Sequence, residues 1–299
     1  MAGPFSDASA SSLLAQLRSI FEDKRVTRKQ GKHIVFVCGG PTRSRKKSTR
    51  RRFLEWSKTN FREILPLLAE DAYKPTVFYD PPTIIDLAEF ETIICEIADC
   101  IVVFPESAGS FAEIGYFAAK DLVSKRILVA NSVSLQSEDS FISLGPIRKI
   151  DRTSFLEPAV QLPKACTDFA PIKKRLKKRL IDSAQARRFE YKPYWKLGYK
   201  EKFLAAFQLI SILQPIGLES LHSCFKAVFE ESRPQEIGHV VAILHAAGYV
   251  RSHTDLFALA PGIQPLLEFE GVEMSKIRAS VLLYYKKNHP DLTRLLKRL

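Results

Sequence analysis

The chain has 299 residues with 46% hydrophobic and 26% charged side chains, a composition typical of globular proteins. No run of about 18 apolar residues occurs, which excludes a transmembrane helix, and Met1–Ser12 lacks the basic and apolar regions of a secretory signal peptide. We therefore expect a cytoplasmic protein without a membrane partner. Its length indicates two domains, since domains commonly have about 100 to 200 residues.

The positive charge of the chain is concentrated in two stretches. The net charge is +12, and the basic residues cluster in residues 43–52 and in the segment Lys173–Lys200. Such runs predict a polyanionic partner. A nucleic acid fits better than an acidic lipid surface, because neither run carries the bulky aromatic face of an interfacial helix.

Five cysteines are scattered through apolar parts of the sequence. An odd number without a regular spacing is unlike a disulfide framework, so we expect reduced thiols that are mostly buried. Cys95 and Cys100 lack a second close pair and a nearby histidine. The sequence therefore predicts no metal site.

Strand and helix patterns alternate in the first half of the chain. Apolar runs at His33–Cys38, Pro75–Tyr79, Cys100–Phe104 and Arg126–Ala130 predict buried strands, and helical spacing marks Phe53–Leu68 and Ile84–Ala98. This order predicts an α/β domain over residues 1–155, with a parallel sheet flanked by helices. Ligands of such sheets bind at the carboxyl ends of the strands. Here those ends are Gly39–Gly40, Tyr79–Asp80 and Glu106–Ser110.

The strand patterns of the first half stop after about Ser154. Residues 156–200 read as a basic linker with one amphipathic helix, whose apolar stripe is Ile172, Leu176 and Leu180. Residues 201–299 begin with three short helices at Lys202–Leu213, Leu218–Glu231 and Gln235–Ala246. Two strands follow at Tyr249–His253 and Leu256–Leu259. Three helices and a hairpin predict a small winged-helix domain.

The segment Phe104–Tyr116 carries the strongest chemical signal. Small residues end a strand and open a helix, whose exposed N–H groups attract a phosphate. Glu113 should lie in the first turn of that helix, beside a bound sugar, where its carboxylate could attack C1′ or support an oxocarbenium-like centre. The competing interpretation is that Glu113 only complements the helix macrodipole.

Other residues complete the predicted site. Glu106 is a candidate for ribose binding or acid–base catalysis, although a solvated loop residue is an equally good interpretation. Gly-Gly after a strand and Asp-Pro-Pro after a strand are weak signals that also fit plain turns. The predicted substrate-binding residues are Gly39, Gly40, Tyr79, Asp80, Ser107, Gly109, Ser110 and Tyr116.

The segment Glu113-Ile-Gly115-Tyr116-Phe-Ala118, together with the Gly39–Gly40 loop and the helix Glu91–Asp99, resembles the nucleoside 2-deoxyribosyltransferase-like family. The resemblance implies that Glu113 is the nucleophile on C1′. The aspartates that transferases use around the base have no clear counterparts here, which favours hydrolysis over base exchange.

Val37–Gly40, Phe104–Glu113 and Ser140–Arg148, followed by a winged helix, more closely resemble retron effector proteins. Ala108 stands where related effectors have proline. The resemblance implies a role beside a reverse transcriptase and its multicopy single-stranded DNA–RNA hybrid, a higher-order assembly, and NAD cleavage that halts phage-infected cells. NAD is the substrate in this reading, and no metal or redox cofactor is expected, because the leaving group already carries a positive pyridinium nitrogen and departs as a neutral base. A nucleotide or a base in nucleic acid presents the same bond to a carboxylate.

Two other functions remain open at this point. One is a nucleoside 2-deoxyribosyltransferase, and the other is a non-enzymatic regulator that senses a nucleotide and binds DNA. The third helix of the predicted winged helix opens at Gln235–His239 without lysine or arginine, so protein and DNA are both candidate partners.

The basic segment is a better candidate for contact with nucleic acid than that helix. Tyr191, Tyr194 and Trp195 lie among its cations and could stack on bases, while a merely solvated helix face is the alternative. The predicted nucleic-acid-binding residues are Lys173, Lys174, Arg175, Lys177, Lys178, Arg187 and Arg188.

Overall fold

A computed structural model describes residues 4–5, 10–29, 33–42, 47–72, 86–132, 140–156, 159–163, 165–182 and 188–296. The helices are α1 Ser11–Asp23, α2 Thr49–Asn60, α3 Ala69–Ala72, α4 Leu87–Ile97, α5 Ala108–Ala118, α6 Asp121–Ser124, α7 Arg148–Thr153, α8 Ala170–Asp182, α9 Tyr199–Leu213, α10 Leu218–Phe229, α11 Pro234–Ala246, α12 Met274–Asn288 and α13 Pro290–Leu296. The strands are β1 Val26–Arg28, β2 His33–Cys38, β3 Ile64–Leu67, β4 Cys100–Val103, β5 Ile127–Ser132, β6 Val160–Leu162, β7 Arg188–Phe189, β8 Ile216–Gly217, β9 Val250–His253, β10 Leu256–Leu259 and β11 Leu267–Phe269. None of the described helices is both long enough and apolar enough to cross a bilayer.

The chain forms two compact units whose segments alternate along the sequence. The sheet unit contains residues 31–69 and 91–186, and the terminal unit contains residues 1–30, 70–90 and 187–299. The predicted boundaries at residues 155 and 200 stay predictions. The described part of the predicted linker up to residue 182 lies in the sheet unit.

A five-stranded parallel sheet forms the centre of the sheet unit. Its strand order is β3-β2-β4-β5-β6, and every neighbouring pair is parallel. The central strands are apolar at nearly every position because helices cover both faces of the sheet. The predicted α/β architecture with a parallel sheet flanked by helices is confirmed.

The two faces of this sheet have different partners. On one face, every second residue of the strands packs against α2 and α8 in one apolar cluster. The cluster includes Val35, Val37, Val102, Leu128 and Ala130 of the strands and Phe53, Ile172, Leu176 and Leu180 of the helices. On the opposite face, Phe36 of β2 meets Phe117 of α5 edge to face, with ring centroids 6.2 Å apart. Side chains alternate between the faces along each strand, so the core lies on both sides of the sheet.

The prediction of one helix over Phe53–Leu68 is wrong beyond Asn60. The helix α2 ends there, and Ile64–Leu67 forms β3, which pairs with β2 in the register Ile34 to Leu65. Apolar residues at helical spacing were also compatible with a short helix followed by an edge strand. Pro66 fits this edge position, where a strand can lack one N–H donor.

The prediction that strands stop after Ser154 is also wrong, because Val160–Leu162 adds β6 to the edge of the sheet. The helix α8 follows it, and the predicted apolar stripe of Ile172, Leu176 and Leu180 is confirmed, since all three side chains are buried. These residues share the core cluster with the strands. The basic helix is therefore a packed element of the sheet unit.

In the terminal unit, segments from near the two ends of the chain pair in one three-stranded sheet. β1 pairs with β11 on one side and with β7 on the other, both antiparallel. Phe21 of α1 packs behind this sheet, with its ring centroid 5.1 Å from that of Phe269 and 5.3 Å from that of Phe229.

The three helices and the hairpin predicted after residue 201 are present as α9, α10, α11, β9 and β10, with bounds that differ from the predicted ones by a few residues. A short strand that the sequence did not reveal, β8, pairs with β10 and gives a sheet of order β8-β10-β9. The order helix, strand, helix, helix and hairpin is compatible with a winged helix. That assignment stays a prediction.

Candidate active site

Two glycines let the loop after β2 approach the loop after β4. Gly39 has φ +150°, and a Cβ atom on it would lie 2.9 Å from Cβ of Phe104. A Cβ atom on Gly40 would lie 3.0 Å from Cγ of Glu106. Both positions therefore need glycine for close packing at the carboxyl edge of the sheet.

The carboxylate of Glu106 holds the start of α2. Its Oε1 accepts hydrogen bonds from the backbone N–H groups of Gly40 at 3.1 Å and Arg50 at 3.0 Å, and its Oε2 accepts one from Thr49 at 2.7 Å. An anion at a helix N-terminus is favoured by the N–H groups that the helix leaves unpaired. Glu106 is therefore more than a solvated loop residue. Its predicted role in catalysis stays a prediction.

Ser107 and Ser110 cap α5. The backbone N–H of Ser110 donates to Oγ of Ser107 at 3.2 Å, and the backbone N–H of Ser107 donates to Oγ of Ser110 at 2.9 Å, which is a reciprocal capping box. Both hydroxyls thus serve the helix. A Cβ atom on Gly109 would come no closer than 4.0 Å to another group, so sterics do not require glycine there. Binding of substrate by these residues stays a prediction.

Glu113 lies one turn later than the sequence suggested. The helix α5 begins at Ala108 and has no acidic residue in its first turn, so Glu113 belongs to the second turn. This placement weakens the macrodipole interpretation, because that effect fades beyond the first turn. Burial raises the pKa of the Cys38 thiol at the end of β2, and the charge of Glu113 raises it further. The charge of Glu113 is therefore felt at Cys38, which ends β2 at the carboxyl edge of the sheet.

A second carboxylate, that of Glu91, also raises the pKa of buried thiols, and it was not among the site residues predicted from the sequence. Glu91 on α4 is only 8% exposed, and its charge raises the pKa of both Cys38 and Cys95, behind the larger effect of burial. Glu113 contributes to both shifts in the same direction. The helix α4 carries Glu91 on its buried side and Glu96 on its exposed side, and the position of Glu91 among the apolar residues Phe90, Ile94 and Cys95 was the sequence signal that could have identified it.

Arg50 is a buried cation at the start of α2. It is 5% exposed, its Nη1 donates to the backbone oxygen of Val37 at 3.4 Å, and its charge opposes the rise in the pKa of Cys38. In the sequence, Arg50 was visible only as part of a basic run. Its position at the start of α2 places a positive charge near the end of β2.

Tyr116 joins a polar cluster between α4 and α5. Nζ of Lys120 donates to Oη of Tyr116 at 2.7 Å and to Oγ1 of Thr92 at 2.8 Å, and the two hydroxyl oxygens are 3.3 Å apart. Tyr116 lies three residues after Glu113, so both side chains project from one side of the helix.

Tyr79, Asp80 and Arg187, which the sequence analysis also proposed as site residues, lie outside the described residues. All five cysteines are buried and free of disulfides. Within the described ranges, no group of three or more His, Cys, Asp or Glu side chains is arranged to hold a metal ion.

The predicted nucleic-acid-binding residues have different surroundings. On α8, Lys173 donates to the backbone oxygen of Asn60, Arg175 donates to that of Leu156 at 3.2 Å, and Lys177 pairs with Glu63 at 2.5 Å. Lys174 and Lys178 are exposed. Arg188 is exposed too, but it lies in β7 of the terminal unit. The basic segment is thus divided between the two units.

The aromatic residues of that segment are mostly packed inside the terminal unit. Tyr194 is fully buried, and its Oη donates to Glu236 at 2.9 Å. Tyr191 stacks on Phe229 with 5.7 Å between ring centroids. Trp195 is 54% exposed. Of these three predicted stacking residues, only Trp195 presents most of its side chain to solvent.

The helix α11, the third of the predicted winged helix, is buried from Ile237 to Leu244. Glu236 in its first turn accepts a hydrogen bond from Nζ of Lys202 at 2.5 Å. Burial alone would raise the pKa of Glu236, but the bonds from Lys202 and Tyr194 outweigh it and lower that pKa. His239 is 8% exposed and packs edge to face against Phe90.

The sequence profile of the STM3845 retron effector protein family matches residues 46–252. One similar protein belongs to retron Ec86 of Escherichia coli and is named as a proposed ribosyltransferase/DNA-binding protein. It is 28% identical over 210 residues, which are 67% of this chain and 66% of that protein. A retron Ec73 protein of Escherichia coli with the same name is 30% identical over 141 residues, or 46% of this chain and 45% of that protein. The matches therefore span just under two thirds and just under half of these relatives.

Proposed function

Because the chain belongs to the STM3845 retron effector protein family, we propose that it is an antiphage effector that cleaves the N-glycosidic bond of NAD through Glu113. The observation that carries this proposal is the position of Glu113 in the second turn of α5. From there its negative charge raises the pKa of Cys38, which lies at the carboxyl edge of a parallel sheet. Ligands of parallel sheets bind at that edge.

In the proposed reaction, the carboxylate of Glu113 attacks C1′ of the nicotinamide riboside. The bond between C1′ and the pyridinium nitrogen breaks, and nicotinamide leaves as a neutral base that takes the electron pair. Water then attacks C1′, the ester bond to Glu113 breaks, and ADP-ribose is released. The leaving group needs no proton, so the first step needs no acid.

The second step needs a base for the attacking water, and we assign this role to Glu91. It is the second carboxylate beside Cys38 and Cys95, and a pair of carboxylates is what displacement at an anomeric carbon ordinarily uses. Glu106 supports the site by fixing Gly40 and the start of α2, and Tyr116 lies on the same side of α5 as Glu113.

Family membership associates the protein with a retron. We propose that the reverse transcriptase and the multicopy DNA–RNA hybrid of that retron control the activity in a cytoplasmic, higher-order assembly. Contact with nucleic acid is assigned to the exposed lysines Lys174 and Lys178 of α8. The C-terminal elements α9 to β10 are proposed to form a winged helix that binds a partner.

The test follows nicotinamide release from NAD by the full chain, with and without the reverse transcriptase and its hybrid. Glu113→Gln should abolish release, whereas Glu96→Gln, a matched change of an exposed glutamate on α4, should not change it. Cleavage that persists in Glu113→Gln would contradict the role of Glu113.

Two other results would replace the proposed function. Exchange of bases between deoxynucleosides without NAD cleavage would show a nucleoside 2-deoxyribosyltransferase. Inactivity on both substrates, with full biological effect in Glu113→Gln, would show a non-enzymatic nucleotide sensor that binds DNA.

A further inference from the structure

The strand β5 contains a buried side-chain amide, that of Asn131, near its carboxyl end. Asn131 is 3% exposed, and its Oδ1 has no hydrogen-bond partner among the described residues. Leaving a buried acceptor without a donor costs about 1 to 3 kcal/mol. Buried polar groups are normally satisfied, so an orphaned acceptor indicates either a buried solvent molecule or a ligand that supplies the donor.

The strand alternation places Asn131 on the face of the sheet that α5 covers. Leu128 and Ala130 belong to the apolar cluster with α2 and α8, so Asn131 projects from the opposite face. That opposite face is the one on which Phe36 meets Phe117 of α5. Cys38, two residues after Phe36, projects from it as well.

The strand register places Asn131 at the same edge as Glu113. Cys38 pairs with Val103, and Val103 pairs with Val129, so Asn131 lies two residues beyond this row toward the carboxyl edge. Two strand spacings separate β2 from β5, which is about 10 Å across the sheet. This span suits a nucleoside that reaches from the neighbourhood of Glu113 toward β5.

We propose that Oδ1 of Asn131 accepts a hydrogen bond from the bound substrate and so selects the N-glycoside that is cleaved. This inference rests on the proposed function. Two groups of NAD offer the required donor, the carboxamide N–H₂ of nicotinamide and the hydroxyls of the adjoining ribose.

The chemistry of the strand supports a role in binding over one in folding. The other residues of β5 on this face are Ile127 and Val129, both buried, and an apolar residue at position 131 would continue their pattern without an orphaned acceptor. Residues that lower stability in a binding site are commonly kept for function. Binding of substrate therefore explains why an amide occupies position 131.

The experiment compares wild type with Asn131→Leu, using kcat/KM for NAD and for nicotinic acid adenine dinucleotide, whose carboxylate has no N–H donor. Asn131→Leu should lower kcat/KM for NAD by about tenfold to a hundredfold, the loss of one substrate hydrogen bond. Its Tm should equal or exceed that of wild type. Gln161→Leu, which changes the exposed amide paired with Asn131 on β6, is the matched control and should leave kcat/KM unchanged.

The second dinucleotide distinguishes the two donors. If Asn131 binds the carboxamide, wild type prefers NAD and Asn131→Leu loses that preference. If Asn131 binds a ribose hydroxyl, the variant loses activity on both dinucleotides equally. If leucine prevents folding, Asn131→Ala repeats the test with a smaller side chain.

Three results would overturn the inference. Kinetics of Asn131→Leu within twofold of wild type would show that Oδ1 meets only a solvent molecule, and an activity loss that merely follows a lower Tm would show a structural role. If wild type cleaves neither dinucleotide, the proposed function fails separately. Calorimetry then compares NAD binding to wild type and Asn131→Leu, and equal or absent binding overturns the role of Asn131.

Discussion

Two helices were candidates for contact with nucleic acid, and they differ in what they expose. The helix α8 buries one apolar stripe and leaves Lys174 and Lys178 exposed, whereas α11 is buried without interruption from Ile237 to Leu244. Phosphate contact needs accessible cations. The position of a helix in a familiar order of elements therefore does not decide its role. Its exposed side chains do.

The largest expected effect tests whether α11 is core. Val240→Asp places a charge at a fully buried position and should destabilise the terminal unit by at least about 3 kcal/mol, because an unpaired buried charge is strongly unfavourable. Lys174→Asp on α8 should change the free energy of unfolding by no more than about 0.5 kcal/mol, as exposed substitutions usually do. Thermal unfolding followed by circular dichroism measures both. A folded Val240→Asp variant with unchanged Tm would contradict the assignment of α11 to the core.

An intermediate effect is expected for nucleic-acid affinity. Replacing both Lys174 and Lys178 by Gln should weaken binding several-fold and should reduce the slope of log K against log salt by about 0.7 to 0.9 for each phosphate that the variant no longer neutralises. Lys286→Gln with Lys287→Gln, a pair of exposed lysines on α12, carries the same change in charge and is the control. If the two double variants weaken binding equally, α8 contributes only through the net positive charge of the protein and not through direct phosphate contacts.

The smallest effect concerns His239 on α11. Burial lowers the pKa of His239, and Glu236 only partly opposes this. Protonation therefore favours the unfolded state, so stability is complete above the usual histidine pKa of about 6.5 and falls as the pH drops below it. His239→Leu should remove about 1 kcal/mol or less of this acid sensitivity in unfolding experiments at pH 7 and pH 5. The exposed His253→Leu should leave it intact, and a wild type without acid sensitivity would contradict the prediction.

The sequence was sufficient for features that local patterns determine. The buried strands His33–Cys38 and Cys100–Val103 are unbroken apolar runs, and the end of one such run led directly to Glu113. The helices α9, α10 and α11 were likewise visible from spacing. Each of these elements depends mainly on neighbours in sequence.

Features that depend on distant partners were missed. Ile64 and Leu65 fit a helical spacing, but pairing with β2 makes them a strand. Glu106 looked like a loop acid because the N–H groups that it binds lie 56 to 66 residues away in the chain. Asn131 drew no attention because only the three-dimensional structure reveals that no described residue donates a hydrogen bond to its Oδ1.

The pairing of β1 has a consequence for how the chain is made. During translation β1 leaves the ribosome before every strand of the sheet unit, while its partners β7 and β11 are synthesised after all of them. The sheet unit, which contains Glu113, can therefore fold before β7 and β11 are available to pair with the backbone groups of β1. A ribosome that stalls before Leu267–Phe269 leaves an open strand edge, which is a template for aggregation with other nascent chains.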